Sequence, residues 1–183
     1  MCDNLLDPTH VAWVHAGSFG QAATKSAPLR VKKTNDGIIV HRWMLDVEPA
    51  PFYKKVVGFD GNCDRLQHYE VRYPSNALIK AVFTPAGTGG SEGKLHDDVF
   101  IMDSYNFMTP VTESKTRYYW FQLRNIRPDD SALSQLMTDD VQQAFEEDRN
   151  VLNEVQKGMT NKTSPHIDLP IDAGQLRFRR QLQ

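Results

Sequence analysis

The spacing of apolar residues changes once along the chain, near residue 138, from a pattern typical of strands to one typical of a helix. This change limits the folds that the chain can adopt. Before that point, six segments rich in β-branched and aromatic residues follow one another, mostly with short links. The first link contains Asn35-Asp36-Gly37, which is a hairpin signal. Strands joined in this way predict an antiparallel sheet. The predicted strands are residues 28–33, 37–48, 65–74, 76–86, 97–110 and 115–125, and residues 48–64 are predicted to be mostly loop.

A helical pattern follows over residues 138–157. Thr138 or Asp139 can cap its start, and Lys157 with Gly158 closes it. A long helix across a curved antiparallel sheet is an α+β, helix-grip architecture, similar to START and Bet v1-like folds, with six to seven strands expected here. Such a fold encloses a cavity between sheet and helix, where small molecules commonly bind. The apolar face of the helix carries Val141, Phe145, Leu152 and Val155.

Composition narrows the class of protein. With 183 residues we expect a single domain, 1–183. A net charge of −2 provides no basic surface for nucleic acid, and no apolar run is long enough for a membrane span. Cys2 and Cys63 do not make a disulfide framework, and the N-terminus has no signal-peptide pattern. We therefore expect a cytoplasmic protein without nucleic-acid or membrane partners.

Asp148 interrupts the apolar face of the helix, three residues after Phe145 and four before Leu152. A carboxylate on a buried face costs several kcal/mol unless a cation or a metal compensates it. One interpretation is a salt bridge to a buried arginine. The other is a metal ligand that points into the cavity. The neighbouring charged residues Glu146, Glu147 and Arg149 are predicted to be solvated.

His10 and His15 are the candidates for the rest of a metal site. On an ideal helix they lie about 140° apart, so they share a site only where the helix bulges or breaks. The simpler alternative is one packed and one exposed histidine. Two histidines and one carboxylate would leave open positions on a metal, as in non-haem Fe(II) oxygenases.

Four stretches of the chain carry a resemblance to a known family. They include the pattern N-x-x-D-x-x-H-x(4)-H from Asn4 to His15 and the pattern E-D-x-x-x-L-x-x-x-Q from Glu147 to Gln156. With these motifs the chain resembles the catalytic domain of Rieske-type non-haem iron oxygenases, the alpha subunits of aromatic ring-hydroxylating systems. Within that group it is most similar to vanillate O-demethylase-like monooxygenases. The matching stretches are residues 3–15, 106–125, 145–156 and 167–182.

The resemblance implies roles for individual residues. His10, His15 and Asp148 are the implied ligands of a mononuclear Fe(II). Asp7 matches the aspartate that helps electrons pass from the iron–sulfur cluster of a neighbouring subunit. Alternatives for Asp7 are a carboxylate that orients His10, or a simple helix N-terminal acid. Asn4 is a supporting candidate only.

The implied reaction is O2 activation that hydroxylates or demethylates a small aromatic substrate. Asn106 is implied as a polar substrate-binding residue. Lys80 or Arg42 could meet a substrate carboxylate, although solvation is the expected state of each. Tyr118 to Phe121 are expected in the core. The predicted cavity wall is either the set Phe100, Met102, Ser104 and Asn106 or the opposite face of that strand.

A Rieske [2Fe-2S] cluster needs C-x-H and C-x-x-H pairs. Neither Cys2 nor Cys63 belongs to such a pair. We therefore expect the Rieske domain to be absent from this chain, which would be truncated and inactive alone. The full system would take electrons from NAD(P)H through a reductase or ferredoxin. Members of the family are commonly trimers, so a monomer or a weaker oligomer is expected here.

Two alternatives remain open at the level of sequence. A helix-grip domain can serve as a non-catalytic binding module for an apolar or aromatic small molecule. In that case Asp148 should pair with an arginine and the histidines should diverge. The same three residues could instead bind zinc in a hydrolase, because ligand spacing does not distinguish iron from zinc.

Overall fold

A six-stranded antiparallel sheet forms the body of the molecule. The computed structural model describes residues 1–94, 96–161 and 167–183. Each strand pairs with its neighbour in the chain, so the order across the sheet is the order in the sequence. The predicted α+β, helix-grip architecture is confirmed. The strands are β1 (Arg30–Lys33), β2 (Gly37–Val47), β3 (Cys63–Arg72), β4 (Asn76–Pro85), β5 (Phe100–Thr112) and β6 (Lys115–Arg124).

The alternation of side chains on β3 and β5 decides what faces the core. On β5, Phe100, Met102, Ser104 and Asn106 are buried while the residues between them are more exposed. The first of the two predicted sets is thus the buried one, and of its members Met102 and Ser104 line the cavity described below. On β3, residues with odd numbers from Cys63 to Val71 are all buried. These two faces form the floor under the long helix.

Within the described ranges four α-helices accompany the sheet, and none of them has the length and apolar character that crossing a bilayer requires. Most of residues 48–64 lie outside helices and strands, as predicted, but the segment also contains the unpredicted helix α2. Its Pro51 occupies the first turn, where proline is favoured, and Phe52, Tyr53 and Val56 are buried in the core. The helices are α1 (Val11–Val14), α2 (Pro51–Val56), α3 (Ser131–Thr160) and α4 (Ala173–Leu182).

The long helix α3 starts seven residues before the predicted Thr138, at Ser131. The carboxylate of Asp130 accepts a hydrogen bond of 2.9 Å from the backbone N–H of Leu133, and this side chain is the actual N-cap. At the other end the helix runs through Gly158 to Thr160. The buried residues of α3 end at Asp148, and Val155 is 49% exposed. The prediction that Val155 packs in the core is therefore wrong.

The C-terminal helix α4 covers the opposite end of the sheet. A Cβ at Gly174 would lie 2.4 Å from Cγ2 of Val40, so only glycine allows this approach of α4 to β2. Phe178 stacks on Tyr73 with ring centroids 5.2 Å apart. Arg179 forms a 2.6 Å ion pair with Asp3, which links α4 to the N-terminal segment. The helix is thus packed on the sheet, and its ion pair with Asp3 ties down the start of the segment that carries both histidines.

Candidate metal centre

His10 and His15 lie on either side of the single helical turn α1. His10 precedes the helix, and His15 leaves the helical conformation with φ −109° and ψ 34°. The helix thus breaks at His15, and no π-bulge is needed to bring the rings together. The two imidazole rings lie edge to face, with centroids 5.3 Å apart. Ending the helix after four residues is what lets an i, i+5 pair meet.

Asp148 meets both histidines from α3. Its Oδ1 lies 3.4 Å from Nε2 of His10 and 3.2 Å from Nε2 of His15. The ligand atoms of the three residues all lie within 4.8 Å of one another. Asp148 is buried, and in the described ranges no arginine contacts its carboxylate. Among the described residues Asp148 thus pairs with the two histidines and not with a buried arginine, an arrangement that is compatible with the metal-ligand interpretation.

The separations between the Asp148 oxygen and the two histidine nitrogens are close to those expected around a single metal ion. Two ligand atoms that each lie about 2.1 Å from an ion, at right angles to one another, are about 3 Å apart. The separations of 3.2 and 3.4 Å from Asp148 Oδ1 to the two nitrogens are close to that value. Two imidazoles and one carboxylate leave open positions on the metal, which is the donor set of non-haem Fe(II) oxygenases.

The second nitrogen of each ring is held by a protein oxygen. Nδ1 of His10 contacts the backbone carbonyl of Asp7, and Nδ1 of His15 lies 2.7 Å from Oε2 of Glu147. An acceptor at Nδ1 places the proton there and leaves Nε2 free to bind a metal. The prediction that Glu147 is merely solvated is wrong. Its sequence context beside Glu146 contains no signal that could have separated the two.

Burial and hydrogen bonding have opposite effects on the pKa values of His15 and Asp148. Burial lowers the pKa of His15, but its hydrogen bonds to Asp148 and Glu147 outweigh burial, and the pKa is raised above the usual imidazole value. Burial raises the pKa of Asp148, whereas the hydrogen bonds from His10 and His15 lower it, and its net pKa is far below normal. Asp148 is therefore an anion at every physiological pH, ready to bind a cation.

Asp7 lies in the groove beside this centre. It directly follows the short 3-10 helix Asn4–Leu6 and does not itself belong to a helix. Its carboxylate accepts a hydrogen bond of 2.9 Å from the backbone N–H of Thr9. The contact to the His10 ring comes from the Asp7 backbone carbonyl and not from the side chain. The side-chain amide nitrogen of Asn4 is buried without a partner in the described structure.

Two depressions meet at the candidate metal ligands. One is a surface groove whose lining includes Asn4, Asp7, His10 and Asp148. The other is a mainly apolar cavity between sheet and α3, which His10, His15 and Asp148 also line. His10 and Asp148 thus separate the groove from the cavity. The other cavity-lining residues include Phe19, Tyr53, Arg65, Met102, Ser104 and Phe145.

Asn106 is fully buried and does not line this cavity. Its amide nitrogen donates to the Ser104 carbonyl at 2.9 Å, and its amide oxygen accepts from the Tyr118 hydroxyl at 2.6 Å. The Tyr118 ring packs edge to face on Phe145, which does line the cavity. Asn106 therefore contacts the cavity wall indirectly, through Ser104 and through Tyr118.

The two predicted cations have different surroundings. Arg42 is buried, so its expected solvation is wrong, and it binds backbone carbonyls of the N-terminal segment, including that of Pro8 at 3.0 Å. Lys80 is partly exposed and pairs with Asp103 at 3.3 Å. Neither lines the cavity. The expectation of core positions also fails for Tyr119 and Phe121, which are 53% and 47% exposed on the outer face of β6.

Sequence reasoning missed Arg65, which is buried and lines the cavity. Its strand contains polar residues on both faces, so the pattern of β3 did not show which face would be buried. The only available signal was the i, i+4 spacing to Tyr69, which places both on the same side of a strand.

The family described as "Vanillate O-demethylase oxygenase C-terminal domain" matches residues 1–183. A putative toluene-4-sulfonate monooxygenase system iron-sulfur subunit from Comamonas testosteroni is 32% identical over 176 residues, which are 94% of this chain and 51% of that protein. A vanillate O-demethylase oxygenase subunit from a Pseudomonas species is 31% identical over 189 residues, covering all of this chain and 57% of that protein.

The same fold is found among solved structures. Dicamba monooxygenase bound to 3,6-dichlorosalicylic acid superposes with a TM-score of 0.86 at 20% identity, covering 99% of this chain and 53% of the other. The chain thus spans about half the length of the relatives that it matches.

Proposed function

The chain belongs to the family of vanillate O-demethylase oxygenase C-terminal domains, within the Rieske-type oxygenases, and from this we propose that it holds the mononuclear iron of such an enzyme. In this proposal His10, His15 and Asp148 are the Fe(II) ligands. The reaction is the hydroxylation or demethylation of a small aromatic substrate with O2. Hydroxylating a methoxy carbon gives a hemiacetal, which releases formaldehyde.

One observation carries the proposal. The Nε2 atoms of both histidines approach the same Asp148 oxygen, at 3.4 and 3.2 Å, while each Nδ1 is occupied by another protein oxygen. A binding module without a metal would gain nothing from this pre-oriented arrangement, because a buried carboxylate is stabilised more simply by one arginine. The arrangement supports a centre whose ligands are held in place before the metal arrives.

A bound Fe(II) would supply the activation of O2, with electrons delivered one at a time. The residues of this chain contribute the rest. Asp148 offsets part of the positive charge, and Glu147 and the Asp7 carbonyl hold the proton of each imidazole at Nδ1. Apolar side chains such as Phe19, Met102 and Phe145 line the cavity and reduce its water content, and they give an aromatic ring a surface to pack on.

The groove suits an electron-transfer role for Asp7. Asp7 lines the outer side of the His10–Asp148 pair, and the cavity lies on the inner side. Electrons would therefore enter from the groove without crossing the substrate site. We propose that the donor is a Rieske [2Fe-2S] cluster, which receives electrons from NAD(P)H through a reductase or ferredoxin.

The position of the groove also leads to an expectation about the oligomeric state. In a family trimer the cluster of one subunit would face the groove of the next. The 183-residue chain alone should be a monomer or a weak oligomer, since it has no Rieske cysteine–histidine pairs with which to present a cluster. Light scattering at micromolar concentration tests this, and a tight trimer would contradict it.

Metal analysis tests the core of the proposal. Protein purified anaerobically and supplied with Fe(II) should bind about one equivalent and give the paramagnetic adduct that nitric oxide forms with Fe(II) that has an open position. Asp148→Ala should lose both the iron and the signal. Glu146→Ala, a change on the exposed side of the same helix turn, should retain them. Binding of zinc alone, with hydrolase activity, would overturn the proposal.

Activity of these 183 residues should depend on an added electron donor. Formaldehyde release from a methoxybenzoate should appear only when a Rieske protein and its reductase are added with NADH. Release with the reductase alone would refute the proposed dependence on a separate cluster.

A further inference from the structure

Arg65 connects the sheet to the turn that follows His15. It lies on β3, is 1% exposed and lines the cavity. Its Nη1 donates to the backbone carbonyl of Phe19 at 3.3 Å and also to the side-chain oxygen of Gln21. Both acceptors belong to the segment that carries the two histidines, and Phe19 is only four residues after His15. Arg65 therefore binds this segment close to a candidate metal ligand.

The turn needs donors from outside because it is irregular. Residues 16–21 belong to no helix or strand, so the hydrogen bonds of regular structure do not satisfy their carbonyls. The contact at the Phe19 carbonyl is buried, where water cannot replace a missing partner. Arginine suits this position, since its planar group carries several N–H donors in a fixed arrangement and stays charged when buried.

The Phe19 side chain transmits this restraint to His15. The two rings lie edge to face, with centroids 6.4 Å apart. Phe19 also packs on Phe52, with centroids 4.4 Å apart, so its ring is held from two sides. The backbone of the turn closes on the same histidine, whose carbonyl accepts hydrogen bonds from the N–H groups of Ser18 at 3.1 Å and Gly20 at 2.8 Å. A shift of Phe19 would therefore disturb both the ring and the backbone of His15.

Arg65 is itself held on the side that faces away from the turn. Its guanidinium forms a hydrogen bond with the Tyr53 side chain of α2, and its central carbon lies 5.2 Å from the ring centroid of Phe83 on β4. A cation–π contact of this kind orients the planar group without consuming its N–H donors. Arg65 thus links the turn to two elements of the core that carry none of the candidate metal ligands.

A second buried arginine holds the same segment before His10. Arg42 on β2 donates to the carbonyl of Pro8 at 3.0 Å and to that of Thr24 at 2.6 Å. The two arginines of the sheet thus bind the segment on both sides of the histidine pair, Arg42 ahead of it and Arg65 after it. Only Arg65 also lines the cavity.

We propose that Arg65 is a positioning residue of the candidate metal centre, which fixes the direction in which His15 presents Nε2 to a metal. Arg65 acts through the Phe19 carbonyl and Gln21 and does not ligate the metal itself. The inference rests on the proposed function, in which His15 is a ligand of the iron. It adds a requirement that no candidate ligand expresses: the ring of His15 keeps its orientation only while Arg65 holds the turn.

Hydrogen exchange of the full chain without metal tests the link between Arg65 and the turn. In Arg65→Met the amides of Ser18 and Gly20 should exchange at least about tenfold faster relative to those of β4 and β5, because a lost charge-assisted hydrogen bond loosens the turn. Val71→Ala is the matched control, since Val71 is buried on the same face of β3 and does not line the cavity. It should lower global stability without speeding exchange in the turn relative to the sheet.

Titration with Co(II), whose visible absorption depends on the geometry of its ligands, measures the consequence at the metal centre. Arg65→Met should lower the affinity by about 10–100-fold and change the spectrum, because His15 no longer meets the ion in a fixed orientation. Arg65→Lys keeps a charged donor and should restore part of the affinity. Phe19→Leu keeps the backbone carbonyl but loses the ring contact, so a smaller effect of the same kind is expected. Val71→Ala should leave affinity and spectrum unchanged.

If Arg65→Met loses stability as Val71→Ala does but keeps the turn exchange and the Co(II) spectrum of the unmutated chain, Arg65 is only structural and the inference is overturned. If Arg65→Met does not fold, Arg65→Lys and Phe19→Leu decide, and unchanged Co(II) affinity in both contradicts the inference. Failure of the unmutated chain to bind Co(II) would instead reject the proposed function. The exchange comparison needs no metal, and faster exchange of the turn in Arg65→Met would then still support the link.

Discussion

Glu147 and His15 are 132 residues apart in the chain, yet Oε2 of Glu147 lies 2.7 Å from Nδ1 of His15. Asp148, the next residue of α3, reaches Nε2 of the same ring at 3.2 Å. Two consecutive carboxylates therefore bind opposite edges of one imidazole. Only Asp148 is deeply buried, whereas the Glu147 side chain is 34% exposed. The two residues divide the work: Asp148 is the candidate ligand, and Glu147 orients the ring.

Replacing Glu147 by alanine should weaken metal binding without unfolding the chain. Loss of a carboxylate that orients a ligand histidine typically lowers metal affinity by about 10–100-fold, because the ring can then rotate and change tautomer. Titration with Co(II), a spectroscopically visible substitute for Fe(II), measures the affinity. Glu146→Ala is the control, since Glu146 is exposed and pairs with Arg149 at 2.8 Å. Equal affinities in the two variants would contradict the orienting role.

Metal binding and stability should depend on pH with opposite signs. Burial lowers the pKa of His15, but its hydrogen bonds to Asp148 and Glu147 together outweigh burial, so in the folded, metal-free chain this pKa lies above its usual value of 6.5. Protonated His15 therefore stabilises the metal-free fold fully below pH 6.5, and this contribution is lost as pH rises through the raised pKa. Metal needs neutral His15, so its apparent affinity should rise over the same interval.

Urea denaturation of the metal-free chain from pH 6 to 9, beside Co(II) titrations at each pH, measures both trends. Asp148 stays ionised throughout, because its hydrogen bonds to the histidines keep its pKa far below this interval despite burial. A metal affinity that is flat across the interval would show that His15 does not bind the ion.

Metal binding should slow amide hydrogen exchange in the turn between the two histidines. Backbone amides of residues 13–15 donate within this turn, so ligation of both rings should restrict its opening. At about one hundred times the Kd, metal adds about 2.7 kcal/mol to the free energy of unfolding. For a chain of this length that corresponds to a rise in Tm of roughly 5–10 °C. Hydrogen exchange and thermal scans should show both effects, and Asp148→Ala should abolish them while the sheet amides remain protected.

Arg42→Met should destabilise the whole domain. The change removes the donors that Arg42 supplies to Gln67 and to the carbonyls of Pro8 and Thr24. A buried acceptor left without a partner costs about 1–3 kcal/mol, so the total loss should be at least about 3 kcal/mol. Urea denaturation measures it. Lys80→Met, which breaks only a partly exposed pair with Asp103, should cost less than about 1 kcal/mol. Similar losses of unfolding free energy in both variants would show that the buried hydrogen bonds of Arg42 contribute no more to stability than the Lys80–Asp103 pair.

The sequence by itself determined the elements and their type. Alternation along the six segments and the helical period around Val141 and Phe145 reflect local geometry, so the antiparallel sheet and the long helix could be predicted. Asp148 was predicted to face inward for the same reason, since a residue three after Phe145 shares its face. The boundaries of α3 were less predictable. Asp130 caps the helix earlier than Thr138, and both residue types are suitable caps.

Only the tertiary structure decided which side chains meet. Periodicity assigns a residue to a face, but the partner depends on how the elements cross and on the register of the strands. His10 and His15 converge because α1 ends between them and Arg42 holds the preceding segment at Pro8. Glu147 could not be distinguished from Glu146 in the sequence, because about 100° of helix rotation places only one of them beside His15. When two residues in contact are more than a hundred positions apart in the chain, no local sequence pattern contains both, so their contact cannot be predicted from such a pattern.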